Sequence, residues 1–413
     1  MMLRAPRMPW HEALFWLSVS IYVAVLPMSS TIALRNVAFA GMIAATLWAL
    51  AKRRLTLRFP AGAAWALYAA VALLSLAWAI DAGYSFGQIR SEIGYGAIVF
   101  VIAASWIDDI ERLRRLAWIA VACDIFMATY SIYLVATTPD AESALIGSYR
   151  AATGTYSTYL ITVAPLLLFL IWDVHRDRRT EATTALVALI AANLVALWFT
   201  ANRQGFAVYA AELALVGAFS LRIAFGRRKL ALVIATVTII AMLFVAQHFK
   251  RSGAGTAEVS PKPDSSQQLT TLHGDPRWQL WRFTVGEIAK QPWHGAGFGR
   301  EVFLKVHGDY RRRTNLSLLW HAHNMVLNKG IQMGVPGILA FLALWVALAA
   351  ALRREAARGG DVAVAACAAA LLVGVFLKNM TDDFFVQDNA LMFWLYFGAL
   401  LASLRQPDAT RER

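Results

Sequence analysis

The sequence predicts an all-α, polytopic membrane protein, and three observations predict it. Of 413 residues, 59% are hydrophobic and only 16% charged, too little polar surface to cover a soluble globule. The apolar residues gather into twelve segments, most of them of the roughly 17 to 25 residues that a spanning helix needs. Positive charge collects in alternate connections between those segments, the pattern that fixes orientation in a bilayer.

The first segment, centred near Ser20, follows Arg4 and Arg7. A secretory leader would begin the same way, but no small-residue cleavage site follows and eleven further spans do, so the segment reads as a retained helix. Spans centred near Ala40, Ala70, Gly96, Phe126, Pro165, Val195, Ala214 and Ile239 complete the first nine, over residues 1–247. Spans centred near Leu342, Leu371 and Tyr396, with a cytoplasmic tail, occupy 324–413. Alternate connections carry Lys52, Arg53, Arg54 and Arg58; Arg112, Arg114 and Arg115; Arg176, Arg178 and Arg179; Arg222, Arg227, Arg228 and Lys229; and Arg353, Arg354 and Arg358. The other short connections hold only Arg150 and Arg203, which places both termini in the cytoplasm. The net charge of +13 is therefore a topology signal. It excludes nucleic acid as a partner, because no soluble domain gathers the basic residues on one face. Cys123 and Cys367 fall within spans, far from metal-ligand spacing, so neither a disulfide nor a cysteine metal site is expected.

One long connection, 248–323, lies on the outer side. From Ser252 to Gly274 it is rich in Gly, Ser, Thr, Pro and Gln, the composition of a flexible tether. Asp275-Pro276 then reads as an N-cap and first turn, opening an amphipathic helix with Trp278, Trp281, Val285 and Ile288 on one stripe, to rest on the bilayer or on the bundle. Gln291-Pro-Trp-His-Gly-Ala-Gly-Phe-Gly299 follows, a glycine-rich turn whose amides either cradle a phosphate or pack closely on the membrane domain. A second short helix leads to Trp320-His-Ala-His-Asn-Met325.

Basic residues on the side where positive charge is normally avoided are the functional lead. Arg203 is joined there by Arg35, Arg90, Arg150, Lys329 and Lys378, an arrangement suited to an anion. Arg35 and Arg90 serve either an anion or the anchoring of span ends to lipid phosphates. Lys329 and Lys378 lean toward anchoring or pairing, with Glu92 or Asp382 as partners. His323 sits at the outer mouth of the tenth span, a side chain whose ordinary pKa suits proton transfer. His321, two residues away, would face the same way only in extended chain, where a metal pair is conceivable but lacks a carboxylate at matching spacing. Gly334, Pro336 and Gly337 lie inside the tenth span and are expected to bend it and shape the mouth. Asp124 and Glu212, carboxylates inside spans five and eight, keep a transporter in view, although no repeat or matched pair of broken helices supports alternating access.

His323-Asn324, nine residues, Gly334, two residues and Gly337 resemble the His-Asn/Ser/Gln-x9-Gly-x-x-Gly pattern of bacterial lipopolysaccharide O-antigen ligases. Arg203-Gln-Gly resembles that family's arginine-glycine element, with Asn202 where serine often precedes the arginine. Arg277-x-x-x-Trp281 and Pro292 to Gly299 are similar to the outer-loop signature of its superfamily, which also contains O-antigen polymerases and protein O-oligosaccharyltransferases. The resemblance implies glycosyl transfer at the periplasmic face of the inner membrane, from an undecaprenyl-diphosphate-linked glycan to lipid A-core oligosaccharide, with no metal and no cofactor. His323 would be catalytic. Arg203 and Arg277, with Arg35, Arg90 and Arg150 as lesser candidates, would hold the donor diphosphate, and His321, Asn324, Gly334 and Gly337 would support them. A leaving lipid diphosphate accumulates negative charge, so fixed cations are what its departure needs, and the arginine fork binds phosphate oxygens in pairs.

Overall fold

The computed structural model describes residues 8–28, 30–137, 153–200, 202–225, 276–314 and 320–405. Every predicted span that falls on these residues is a helix, and among them there is no strand. The chain runs through α1 (Trp10–Val25), α2 (Ile32–Ala51), α3 (Gly62–Leu74, extended by a 3-10 turn to Trp78) and α4 (Ala82–Gln88). A π-helical turn, Ile89–Gly94, joins α4 to α5 (Tyr95–Trp106). Then follow α6 (Ile110–Thr137), α7 (Thr153–Arg176), α8 (Thr180–Phe199), α9 (Arg203–Phe225), α10 (Pro276–Lys290), α11 (Val302–Thr314), α12 (Met325–Ala357), α13 (Val362–Lys378) and α14 (Gln387–Ser403). The ninth span near Ile239, the tether 252–274, the cap Asp275, Arg150, Arg4 and Arg7 lie outside the described residues.

Six of these helical stretches are long and apolar enough by themselves to cross a bilayer, among them Ile32–Ala51, Gly154–Arg176 and Met325–Ala357. Outward positions on these and on the shorter apolar helices are apolar too: Leu17, Val37, Leu47, Leu67, Leu74, Phe126, Val195, Leu339, Val346 and Val373 are exposed, a surface that only lipid would cover favourably. The chain is an all-α polytopic membrane protein.

The centre is α14 packed against α5 and α7. α14 is buried from Asp388 to Ser403, apolar on every side as a fully enclosed helix must be. Close approach follows from small residues, the usual device where lipid removes any hydrophobic drive between helices. A side chain at Gly96 would run into Trp394, and one at Gly398 into the Phe100 carbonyl.

The bundle has two chemically distinct ends. At one, the basic connections meet: Arg58 lies 3.1 Å from Asp108, Arg114 lies 2.6 Å from Asp173, and Arg405 lies 3.3 Å from Glu355. At the other, Ile80 N–H donates to the Ala296 carbonyl (3.0 Å), Met325 N–H to the Asn379 carbonyl (2.9 Å), and the Gln204 amide to the Leu377 carbonyl (2.6 Å). Contacts between distant connections thus sort them into the same two groups as the charge pattern does.

At that second end α10 and α11 form a small core of Leu280, Ile288, Phe303 and Ala322 against Ile331 of α12. The buried face of α10 is Leu280, Thr284 and Ile288, with Trp281 half-buried. Trp278 and Val285, expected on the same stripe as Trp281 and Ile288, are exposed instead. The stripe drawn from sequence is divided: Trp281 and Ile288 turn to the bundle together with Leu280 and Thr284, and Trp278 and Val285 turn away from it.

Candidate active site

The site is assembled where the start of α12 meets the connection between α13 and α14. Asn324 is the N-cap of α12: its side-chain oxygen accepts from Val326 N–H (2.9 Å) and Leu327 N–H (3.0 Å), satisfying two of the donors a helix start leaves open. Its amide nitrogen donates to the Met380 carbonyl at 2.8 Å, so one side chain both starts the helix and binds the facing loop. Two further side chains hold the residues before it: Trp281 Nε1 donates to the Ala322 carbonyl (3.0 Å), and Asn328 accepts from Ala322 N–H (2.9 Å) while donating to Asp383.

Held this way, His323 adopts φ +48°, the left-handed region that non-glycine residues seldom enter. Its Nδ1 lies 3.2 Å from Oδ1 of Asp382, and its backbone N–H donates to Nδ1 of His321 (3.0 Å). The two imidazoles stack with centroids 4.0 Å apart, the same-side placement that extended chain allows and a helix would not. His323 is 9% exposed, so the solvated helix mouth expected from sequence is in fact a buried one. The loop 379–386 closes over it, and nothing in the local sequence of α12 announces that cover.

Electrostatics separates the two histidines. Burial, reinforced by the Arg300 guanidinium 2.5 Å from its Nε2, pushes His321 down to about 2, so it stays neutral at any working pH. Asp382 is held at about 2: burial opposes its ionisation, but the hydrogen bond from His323 and the charge of Lys378 outweigh it. An ionised carboxylate on Nδ1 fixes the histidine tautomer in which Nε2 is the basic nitrogen.

His321, His323 and Asp382 bring one ligand atom each within 4.8 Å of one another, and Asp382 supplies the carboxylate that sequence spacing lacks. A divalent ion there would have to displace Arg300 from His321 Nε2, so these residues fit a hydrogen-bonded triad better than a metal.

Around this triad the predicted cations take different places. Arg203 opens α9, whose first turn is capped by Asn202 Oδ1 accepting from Gly205 N–H (2.7 Å). Asparagine and serine are both favoured N-caps, so Asn202 in place of serine leaves that turn intact. Gln204, beside Arg203, binds the Leu377 carbonyl and also Thr381. Arg277, in the first turn of α10, is close enough to Lys378 for the two charges to act on each other. Arg203 and Arg277 are therefore gathered at the end of α13, next to the Asp382 loop. Arg35 pairs with Asp388 on the rim of a cavity. Arg90 is exposed on the π-helical turn, and Arg150 lies outside the described residues. Lys329 is buried against Glu92 (3.4 Å) and Gln332 (3.2 Å).

The cavity holds about 770 Å³ on the other side of the histidines, lined by Tyr84, Gln88, Glu92, Arg300, Trp320 and His321, with Phe384, Asp388 and Asn389. Phe384 stands between the two regions, with Arg300 5.3 Å from its ring centre and Lys378 5.2 Å from it. Sequence reasoning missed Asp382 as the partner of His323 and missed Arg300 altogether. An acidic pair, Asp382-Asp383, between two apolar spans was the one available signal for the first; Arg300, directly after the glycine turn, was the signal for the second.

Gly334 and the glycine turn are two halves of one joint. Pro336 cannot donate to the Gln332 carbonyl, and Val335 N–H turns instead to the Pro292 carbonyl (2.7 Å). The freed carbonyls of Ile331 and Gln332 accept from Ala296 N–H (2.9 Å) and Gly297 N–H (3.0 Å). Gly334 sits at φ +70° inside α12, and a Cβ at Gly295 would fall 2.2 Å from the Gln332 carbonyl carbon. Two amides of the turn, those of Ala296 and Gly297, are thus spent on α12, as close packing on the membrane domain requires. The break in α12 is filled by the hydrogen bonds of the glycine turn.

Buried carboxylates complete the inventory. Asp124 accepts from Asn193 Nδ2 at 2.7 Å, while Glu212 packs on Gly374 with neither carboxyl oxygen hydrogen-bonded.

Comparison with curated proteins gives no match. Residues 185–342 match the family model described as O-antigen ligase, a stretch that contains Arg203, Arg277, Arg300, the glycine turn, His321, His323, Asn324, Gly334 and Gly337. The interlocked turn and helix break, the capped His-Asn and the arginine at the start of α9 all fall inside that match, so over these residues the chain is similar to the O-antigen ligase family.

Proposed function

We propose that the protein is an O-antigen ligase, joining an undecaprenyl-diphosphate-linked glycan to lipid A-core oligosaccharide at the periplasmic face of the inner membrane. The observation that carries this reading is the placement of the His323–Asp382 pair between the Arg203 and Arg277 region and the cavity beyond Phe384. The donor diphosphate belongs with the arginines and the acceptor sugar with the cavity, where Trp320 and Tyr84 offer ring faces and Gln88, Glu92 and Asn389 offer hydrogen-bonding groups. The acceptor hydroxyl oxygen attacks the anomeric carbon, and its proton passes to Nε2 of His323, made the basic nitrogen by Asp382. The bond from that carbon to the diphosphate oxygen breaks, and its electron pair leaves on undecaprenyl diphosphate, where the arginines offset the added negative charge. No step requires a metal, so ligation persists in excess chelator.

The test is ligation in vitro of lipid-linked glycan to lipid A-core. His323→Ala should lower the rate by about 10² to 10⁴ and leave donor binding nearly unchanged. Asp382→Asn should lower it by roughly 10- to 100-fold, as loss of a partner that orients a working histidine does. Arg203→Lys keeps the charge but loses the paired hydrogen bonds, so wild-type activity in that variant would argue against direct diphosphate contact. A deletion strain separates the polymerase alternative: complete polymer left on the lipid carrier with bare lipid A-core marks a ligase, whereas single repeat units capping the core mark a polymerase.

A further inference from the structure

The two buried lysines among the described residues differ in kind. Lys329 is 5% exposed and hydrogen-bonded to Glu92 and Gln332, so its charge is answered within the fold. Lys378, the last residue of α13, is 0% exposed, yet its Nζ makes no hydrogen bond. The ring of Phe384, 5.2 Å away, gives it only a cation–π contact. Asp382, the carboxylate near it, is committed elsewhere, accepting from Nδ1 of His323 (3.2 Å) and from Asp383 N–H (2.9 Å). Arg277 adds a second positive charge to the same neighbourhood. An ammonium withdrawn from water with no acceptor is among the most expensive things a fold can keep, and a second cation beside it raises the cost.

The position of the lysine supplies a reason to keep it. The carbonyl of the preceding residue, Leu377, is where the side chain of Gln204 docks, which sets the start of α9 and Arg203 beside the end of α13. Arg277, at the start of α10, acts on the charge of Lys378, and Asp382, which holds His323, lies four residues on. An anion bound by Arg203 and Arg277 would meet Lys378 as well, and would bring the acceptor oxygens its ammonium lacks.

We propose that Lys378 is a further anion-binding residue of the donor site, completing with Arg203 and Arg277 a three-cation clamp for a lipid-linked diphosphate; this rests on the transferase reading above. Lysine, a compact charge on a flexible stem, suits a single phosphate oxygen where the arginine forks take oxygens in pairs. The clamp matches its ligand in charge, since a diphosphate leaving group ends the reaction with one more negative charge than it began with.

The experiment uses the full chain in nanodiscs, with wild type, Lys378→Met and Lys378→Gln. Binding of undecaprenyl diphosphate, undecaprenyl monophosphate and inorganic pyrophosphate is measured, together with thermal midpoints in the absence of ligand. The expected result is a loss of undecaprenyl diphosphate affinity of about 10- to 100-fold in both variants, the size of one charge-assisted hydrogen bond. The unliganded Lys378→Met protein should melt at or above the wild-type temperature, because it removes a buried ammonium that no acceptor hydrogen-bonds. A lower melting temperature with unchanged binding would make Lys378 a structural counter-charge of Asp382 and overturn the proposal, as would failure of both variants to fold. Pyrophosphate binding lost in parallel places the contact on the diphosphate itself. Equal weakening of the monophosphate and the diphosphate supports a lysine on the phosphate next to the lipid. If wild type binds no diphosphate at all, the transferase reading falls; if wild type binds and the variants bind equally well, only the role of Lys378 falls.

Discussion

Two adjacent histidines of the same ordinary pKa are driven into different roles by their partners. His321 faces a guanidinium and is held neutral, whereas His323 faces a carboxylate that is itself held ionised. The difference has a consequence for stability. His321 drops from an ordinary 6.5 to about 2 in the fold, so between those values the unfolded chain takes up a proton that the folded chain refuses. Stability is therefore complete above pH 6.5 and declines as pH falls, by up to about 1.4 kcal/mol per pH unit. Asp382, lowered from 3.8 to about 2, contributes stability above 3.8 that is lost only below it, outside a titration from pH 7 to pH 5. Across that interval the melting temperature of wild type should fall more steeply than that of His321→Gln, and parallel slopes would show that His321 is not the group responsible. Little of this was readable from the chain. His321 and His323 stand out by type and position, but the groups that divide their labour, Arg300 and Asp382, lie 21 and 59 residues away.

Among the elements, α12 shows how a local rule can be half informative. Proline and two glycines in an apolar span foretell a bend, because the ring removes a donor and leaves a carbonyl without one. Which group would accept the offer was not foretold, since the turn at 292–299 and the break at 334 read as separate motifs until their hydrogen bonds are seen. Gly334→Ala forces a Cβ into a left-handed backbone, 2.7 Å from the Pro292 carbonyl oxygen. The variant should lose about 1 to 3 kcal/mol and lower the thermal midpoint without altering the chemistry of His323 itself. The start of α9 gives a milder case. Asn202→Ala should cost about 1 kcal/mol and Asn202→Ser almost nothing, as exchange among capping residues does. A Ser variant as damaged as the Ala variant would mean that Asn202 has work beyond the cap. On α10 the sequence left the stripe's partner open between bilayer and bundle, and only packing decides that Leu280, Thr284 and Ile288 face the bundle while Trp278 stays exposed.

At the scale of the molecule, orientation can be tested with a single label. The native Cys123 and Cys367 are buried, so background should be low. A cysteine replacing Trp293, 75% exposed at the end of the bundle that holds the cavity, should react with an impermeant maleimide in cells whose outer membrane is permeabilised. Cysteines replacing Asp177 or Gly359, exposed at the basic end, should not. Reaction of Trp293→Cys and Asp177→Cys from the same side would overturn the map. The charge pattern already assigned those residues to opposite faces, and the ion pairs among the basic connections assign them again from geometry.

Composition and periodicity by themselves determined that this chain is helical and crosses a membrane repeatedly. These are properties of the solvent each segment requires, and a segment's solvent is written in its own residues. The motifs likewise marked Arg203, Arg277 and His323. Only the tertiary structure decided that α14 lies at the centre of the bundle, because an all-apolar helix looks the same to lipid as to other helices. It alone joined the glycine turn to the break in α12, set Asp382 on His323, and left Lys378 buried without an acceptor. Each of those facts is a relation between residues distant in the chain, carried by packing that no local pattern encodes.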